Sequence, residues 1–565
     1  MHNSGTLLAI ALAAITTGSA QQSAACHKGH VDAGYKMTPM PPPKRMTGIG
    51  TSSLKITTKS AAAQAYFSQG IELLHCFWDF EAYRAFKEAA RLDPSAPMAY
   101  WGIVESIDNY KAMDSEKTAA LEKIKKLMEK ASDHEQFYLR AQQKKEDKDA
   151  KDSDDDFSRE MEALVDKYPD DLDAKLFLAI SSPYGYDSDG RPKAKALFPL
   201  MILRNILTDH PDNAAANHYL IHVLEAGPHA DGALHSAEIL AKLAPNSGHM
   251  VHMPGHIYYK LGDQELARNA FLASMKVDED YMHREHVSTV DDWNYNHNLS
   301  YLIASDAEAG RYKEALDMAA RLDALPANPF LAVGKPIQAT TIGATTVRLQ
   351  IRFGNWEAAV NHPVELGDEK LAGAPARTYR DGLLTYARGM NALDKKDFAS
   401  AAREADALDA MQWRLKSDPS GDEEEEDSKP GRVFDLLETA SLDLRGNLKC
   451  AQGYFDQGMD LLKKAAAKEK KDIGYNEPPV YSRPESESIG YAYLHAKQFD
   501  KARGAFEDEL IQRPNSGHAL YGLAHSYELA GDRSKAAQAY GKFLQSWANA
   551  DPDLPMVKHA RAAAH

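Results

Sequence analysis

Three cysteines, Cys26, Cys76 and Cys450, are all that 565 residues contain. So few in so long a chain exclude a disulfide-built scaffold, and the fold must rest on its own core. Positive charge is not in excess: 66 Lys and Arg stand against 82 Asp and Glu, a formal net charge of −16. That balance disfavours phosphate backbones, so no nucleic-acid partner is expected. No stretch beyond the N-terminus offers ~18 uninterrupted apolar residues, so no transmembrane segment is expected either. Phosphate-cradling glycine loops are missing, since Gly48-Ile49-Gly50 lacks the strand–turn–helix context, and no strand-to-helix turn presents a nucleophilic serine. With 44% hydrophobic residues the chain is nonetheless an ordinary globular composition.

The N-terminus reads as an address. Leu7 to Ile15 is a short apolar run, and Gly18-Ser19-Ala20 supplies small residues for cleavage before Gln21. A secretory signal peptide over 1–20 is therefore expected, with the mature protein exported to the periplasm or the medium. Residues 21–58, with Cys26-His27-Lys28-Gly29-His30 and the proline-rich stretch 39–45, read as a leader or linker. A haem-attachment spacing needs two cysteines, which this segment lacks.

From Gln64 onward the pattern is helical and periodic. Gly70, Ala82, Phe86, Ala89 and Pro94 form a skeleton that returns as Gly255, Ala267, Phe271 and Ser274. It returns again as Gly490, Ala502, Phe506 and Pro514, and as Ala524, Tyr527, Gly531 and Ala536. Small residues let two helices approach, the aromatic fills the gap between units, and proline ends the second helix. The skeleton resembles the tetratricopeptide repeat, a helix–turn–helix unit of period 34. The resemblance implies an all-α fold, a right-handed α-solenoid, over most of residues 60–550. More narrowly, Asn217-His218-Tyr219-Leu220-Ile221-His222 and His252-Met253-Pro254-Gly255-His256-Ile257-Tyr258 resemble a group of exported bacterial tetratricopeptide proteins, as does Glu477-Pro478-Pro479. The organisation expected is a signal peptide (1–20), a leader (21–58), N-terminal repeats with a degenerate section (59–200) and histidine-rich central repeats (201–365). C-terminal repeats with an acidic insertion (366–550) and a tail (551–565) follow. The acidic runs 152–156 and 422–427 lack the alternating ligands of a calcium loop and read as solvated loops.

What the chain has in plenty is histidine: 22 in all, eleven of them between His210 and His297. His218 and His222 are four apart, as are His252 and His256, so each pair shares one helix face. From 218 to 252 is 34, and from 222 to 256 is 34 again, so the pairs hold equivalent positions in consecutive repeats. Counted from the packed positions, they fall on the side lining the concave groove, the usual ligand surface of such arrays. His297 begins the groove side of a third unit, and His249 that of the second. Asn217, Tyr259, Trp293 and Tyr295 are the further groove or ligand-binding candidates. Imidazole suits zinc, copper or iron, and i,i+4 histidine pairs are a common helical way to hold such an ion. Glu225 can ligate, orient an imidazole from behind, or act as acid/base. Cys76 and Cys450 read as core residues, and His518 and His525 as structural.

Three functions follow as expectations. The first is an exported solenoid that binds a protein, peptide or small molecule in its groove, with a transition-metal site between adjacent repeats. The second is a metal-dependent enzyme, hydrolase or oxidoreductase, with Glu225 as acid/base and Trp293 and Tyr295 walling the substrate. The third is a structural scaffold, in which the histidines hydrogen-bond with Asn217, Tyr219 and Asn298 to seal a polar seam.

Overall fold

Phe86 explains why the helices pair as they do. Its ring fills the space that two glycines leave: a Cβ on Gly70 would lie 2.4 Å from it, and one on Gly102 would lie 2.3 Å from it. The same arrangement recurs at Phe506, between Gly490 (2.6 Å) and Gly522 (2.4 Å). Each aromatic therefore packs against the first helix of its own pair and the first helix of the next. Only a residue without a side chain tolerates that approach. Ala82, Phe86, Ala89, Ala502 and Phe506 are fully buried, so the repeating skeleton is the core.

The computed structural model describes residues 40–107, 113–147, 152–187, 190–289, 292–325, 344–362, 373–417, 431–470 and 483–564. The expected signal peptide, the acidic run 422–427 and the stretch 477–479 lie outside these residues. Among them are 25 α-helices and no named strand, the one β-bridge joining Tyr186 to Pro192. The all-α, solenoid-type fold of helix–turn–helix pairs is thus the fold of this chain. It divides into two units, Met1–Ile257 with Ala273–Tyr295, and Tyr258–Leu272 with Asn296–His565.

In the first unit, Ala61–His75 packs on Asp79–Leu92, and that helix packs on Pro97–Ile107. Ala61–His75 also touches Pro97–Ile107 directly, the contact of first helix on next first helix that stacked pairs require. The section expected to be degenerate carries Asp114–Leu127, Asp133–Lys145, Ser153–Lys167 and Leu172–Ser181. The acidic run 152–156, read as a loop, is instead a helix start. Asp152 caps it by accepting from the Asp155 amide at 3.0 Å, and Asp154, Asp155 and Asp156 occupy the first turn. Carboxylates are stabilised there by the free N–H groups and the helix dipole. Residues 40–58, read as linker, pack in extended form. Ile49 and Leu54 are buried, and the Gly48 carbonyl accepts from the Asn246 amide at 2.8 Å.

In the second unit, Gly373–Asp394, Gly431–Ala451, Glu485–His495 and Gly517–Leu529 are the first helices of successive pairs. Each touches the next first helix in turn. The turns between paired helices place a residue at positive φ: Gly310, Gly354, Lys396, Gly453, Lys497 and Gly531. Inside this unit Arg352 joins two buried glutamates. It donates to Glu308 Oε1 at 2.9 Å and to Glu487 Oε2 at 2.8 Å. Residues 551–565, expected as a tail, carry a further helix, Pro555–Ala563.

Candidate metal centre

Asn213 opens the helix that carries the first histidine pair. Its side chain accepts from the Ala216 amide at 2.8 Å, capping Ala214–Glu225. The helix with the second pair, Gly248–Lys260, starts 34 residues later, at 248 against 214, so the repeat register read from sequence is also the register of the helices. All five of His218, His222, His249, His252 and His256 are buried, each 5% exposed or less. By contrast His210, His229, His235, His283 and His286 are exposed, and His297 is intermediate. Half of the histidine excess is therefore surface; the other half is interior.

That burial corrects the expected groove position. The side of these helices turned away from their partners is covered by the turn that ends Ala61–His75. Phe77 in that turn sets its ring 4.7 Å from the His218 ring, 5.2 Å from His222 and 5.6 Å from His249, centroid to centroid. It does so from a left-handed backbone, φ 54°. The corresponding position in other turns is glycine or lysine; a bulky residue there stores strain of order 1–3 kcal/mol, which packing must offset. No periodic pattern signals this, because the contacts join residues more than 140 apart.

The imidazoles have an ordered donor pattern. His218 Nδ1 lies 2.7 Å from the His75 carbonyl, which can only accept, so that nitrogen carries the proton. His222 Nδ1 lies 2.8 Å from Glu225 Oε1, again an acceptor. His256 Nδ1 meets the other oxygen of the same carboxylate, Glu225 Oε2, in a short contact. His249 Nδ1 is 3.2 Å from Asn294 Oδ1. The Asn294 amide faces that way because its nitrogen donates to Asp278 Oδ2 at 2.7 Å and to Ser274 Oγ at 3.2 Å.

With protons on Nδ1, the lone pairs lie on Nε2. His218 Nε2 and His222 Nε2 face each other at 3.0 Å, and one nitrogen from each of His218, His222 and His249 falls within 4.8 Å of the others. Burial holds the His218 imidazole well below its ordinary range, and His222 beside it pushes the same way. Burial alone would raise the Glu225 carboxyl, but His256 and His222 hold it well below the usual carboxylate range. The site is thus three buried imidazoles beside an ionised carboxylate. His252 and His256 differ. Their Nε2 atoms are 2.6 Å apart, and a proton on His252 Nε2 gives an ordinary hydrogen bond to His256.

The other expected residues separate by role. Glu225, 3% exposed, has both oxygens on imidazole N–H groups, the orienting arrangement among those considered for it. Asn217 touches no imidazole among its hydrogen bonds: it donates to the Pro211 and Asn213 carbonyls at 2.9 Å and accepts from Ser236 at 2.7 Å. Tyr219 bonds His75 Nδ1 at 2.8 Å, and Asn298 donates to the Phe271 carbonyl at 2.7 Å. Of the seam expected from Asn217, Tyr219 and Asn298, Tyr219 bonds an imidazole, that of His75, and the histidines meet one another at His218–His222 and His252–His256. Trp293 packs 5.0 Å from His249, whereas the Tyr295 hydroxyl donates to Glu279 at 3.3 Å. Tyr259 and His297 belong to the second unit, each ring edge-on to Tyr301, at 5.9 and 5.2 Å. Sequence reading missed His75 and Asp173, which meet at 3.0 Å and fix the carbonyl that orients His218. It read Cys76 as core, and Cys76 is buried, its thiol pushed up to about 12 by burial. Cys450 is only partly buried.

Comparison with known proteins identifies one repeat. Residues 518–550 match the family model described as tetratricopeptide repeat. No curated protein sequence matches the chain. Among solved structures, the human IFIT1 dimer with m7Gppp-AAAA is similar at 13% identity, covering 94% of this chain and 95% of that one, with a TM-score of 0.34. Yeast Tom70 is similar at 12% identity over 90% and 96%, TM-score 0.29. The tetratricopeptide domain of P58(IPK) is similar at 11% identity over 89% and 98%, TM-score 0.19. None of these likenesses bears on the histidines.

Proposed function

We propose that this chain is a tetratricopeptide-repeat scaffold that binds a protein or peptide, and that its first unit holds a transition metal on His218, His222 and His249. The observation that carries the metal is the face-to-face contact of two Nε2 atoms at 3.0 Å, both of whose rings spend their protons on oxygens. Two bare lone pairs at that distance repel; a shared cation turns the repulsion into two bonds. Nitrogens on one tetrahedral zinc, each at ~2.0–2.1 Å, stand about 3.3 Å apart, close to the spacing here. Nδ1 donors to a carbonyl and a carboxylate are the usual way such ligands are oriented. Nitrogen ligands favour zinc or copper, with iron also served by imidazole.

Burial of all three ligands supports a structural ion that staples the 75–77 turn to two consecutive repeats. The enzyme reading draws support from the ligand count, since three nitrogens leave a fourth position. Against it, both Glu225 oxygens are committed, and the Phe77 ring lies over the imidazoles. The rival without metal is a proton on His222, shared with His218 and balanced by Glu225. Elemental analysis of protein purified without a nickel column, then zinc titration of the chelator-stripped chain, decides between them. Loss of one bound ion per chain on His222→Ala is expected; zinc uptake that His222→Ala leaves unchanged overturns the metal at this site.

Export is part of the same proposal, supported by the apolar run 7–15 and the small residues before Gln21. A mature N-terminus at or near Gln21 in secreted protein is the expected result. No helix among the described residues is long and apolar enough to cross a membrane.

A further inference from the structure

The last repeat of the second unit carries a separate constellation. His525 and Glu528, three apart on Gly517–Leu529, share a helix face. His559 reaches them from the terminal helix Pro555–Ala563. We propose that His525, Glu528 and His559 form a second transition-metal site, one that fastens the C-terminal helix to the last repeat.

The His559–Glu528 distance points to a shared ion rather than to a plain ion pair. His559 Nε2 stands 3.4 Å from Glu528 Oε1, longer than the ~2.7–2.9 Å of a charge-assisted hydrogen bond. It is, however, close to the roughly 3.3 Å between two donor atoms on one tetrahedral ion. His525 Nδ1 lies 3.0 Å from Glu528 Oε2, and the three groups each offer a ligand atom within 4.8 Å of the others. Two tyrosines fix the ligands from behind. Tyr521 Oη meets His559 Nδ1 at 2.8 Å, turning Nε2 toward the glutamate, and Tyr540 donates to Glu528 Oε2 at 2.6 Å. That is the outer hydrogen-bonding which metal ligands carry.

Two imidazoles and one carboxylate make a zinc-type ligand set, unsuited to magnesium or calcium, which take oxygens. The side chains are 28%, 35% and 37% exposed, so an ion enters from solvent and water completes its coordination. The site shares no residue with the buried histidine centre. It stands or falls independently of the reading given there.

The test uses the full-length, chelator-stripped chain with zinc as the probe. Competition against a chromophoric chelator should show a site weakened at least tenfold by His559→Ala and by Glu528→Gln, but not by His222→Ala. Hydrogen exchange over 555–564 should slow on zinc addition in the wild type and stay unchanged in His525→Ala, a variant that leaves the terminal helix intact. Tyr521→Phe should weaken zinc while keeping the helix folded without metal. Zinc binding and exchange that are indifferent to all three ligand substitutions would leave only a His–Glu ion-pair cluster, and the proposal would be overturned.

Discussion

His222 and His256 sit one repeat apart and donate their Nδ1 protons to opposite oxygens of a single carboxylate, Glu225. One glutamate at the end of Ala214–Glu225 thereby sets the tautomer of a histidine in each of two consecutive repeats. A carboxylate in that position determines where the lone pairs point and leaves the ligating to the rings.

Glu225→Gln keeps the shape but replaces one acceptor oxygen with a donor amide. One imidazole must then flip its tautomer or lose its partner. Zinc affinity of the stripped protein should fall 10- to 100-fold, as for outer-shell changes elsewhere, without loss of helix content. Chelator competition with circular dichroism on the same samples checks both halves.

Phe77 combines a strained backbone with a ring packed on three imidazoles. Both Phe77→Ala and Phe77→Gly lose the ring, at about 3–5 kcal/mol. Only glycine also removes the left-handed penalty, so Phe77→Gly should be more stable than Phe77→Ala by about 1–2 kcal/mol. Urea unfolding of the two variants measures the difference directly. Equal stabilities would mean that the turn relaxes out of the left-handed region.

Gly102→Ala puts a methyl 2.3 Å from the Phe86 ring, where the ring is itself fully buried and cannot retreat. Overpacking of this kind costs about 1–3 kcal/mol. Phe86→Ala in the same background should relieve the clash, so the two changes together cost less than their sum. A double-mutant cycle by denaturation tests this coupling.

Burial alone would raise the Glu308 carboxyl, but Arg352 and His518 bring it down to about 2. A depressed acid stabilises the folded state fully above its ordinary pKa of 4.5, and this contribution disappears as pH falls through about 2. The gap is worth about 3 kcal/mol. Glu308→Gln should therefore be less stable than the wild type at pH 7, with the difference shrinking between about pH 5 and pH 2. Denaturation curves across that range give the sign; a constant difference would assign the loss to packing.

Much of the fold was legible along the chain. Gly70, Phe86, Gly490 and Phe506 recur because each repeat solves the same packing problem, and a period is a property of sequence. The same holds for the 34-residue step from His218 to His252 and from His222 to His256, which fixes those residues at equivalent places on two helices. Composition likewise held the histidine excess and the scarcity of cysteine.

Burial and donor pattern were decided elsewhere. The imidazoles are interior because Phe77 and the His75 carbonyl arrive from a turn more than 140 residues away. His559 meets Glu528 only because the terminal helix folds back on the last repeat. Neither contact obeys the repeat, so neither leaves a periodic trace. Local register tells which way a side chain leaves its helix; what it meets there depends on the rest of the chain, and so does whether a ring holds its proton toward an oxygen or its lone pair toward another nitrogen.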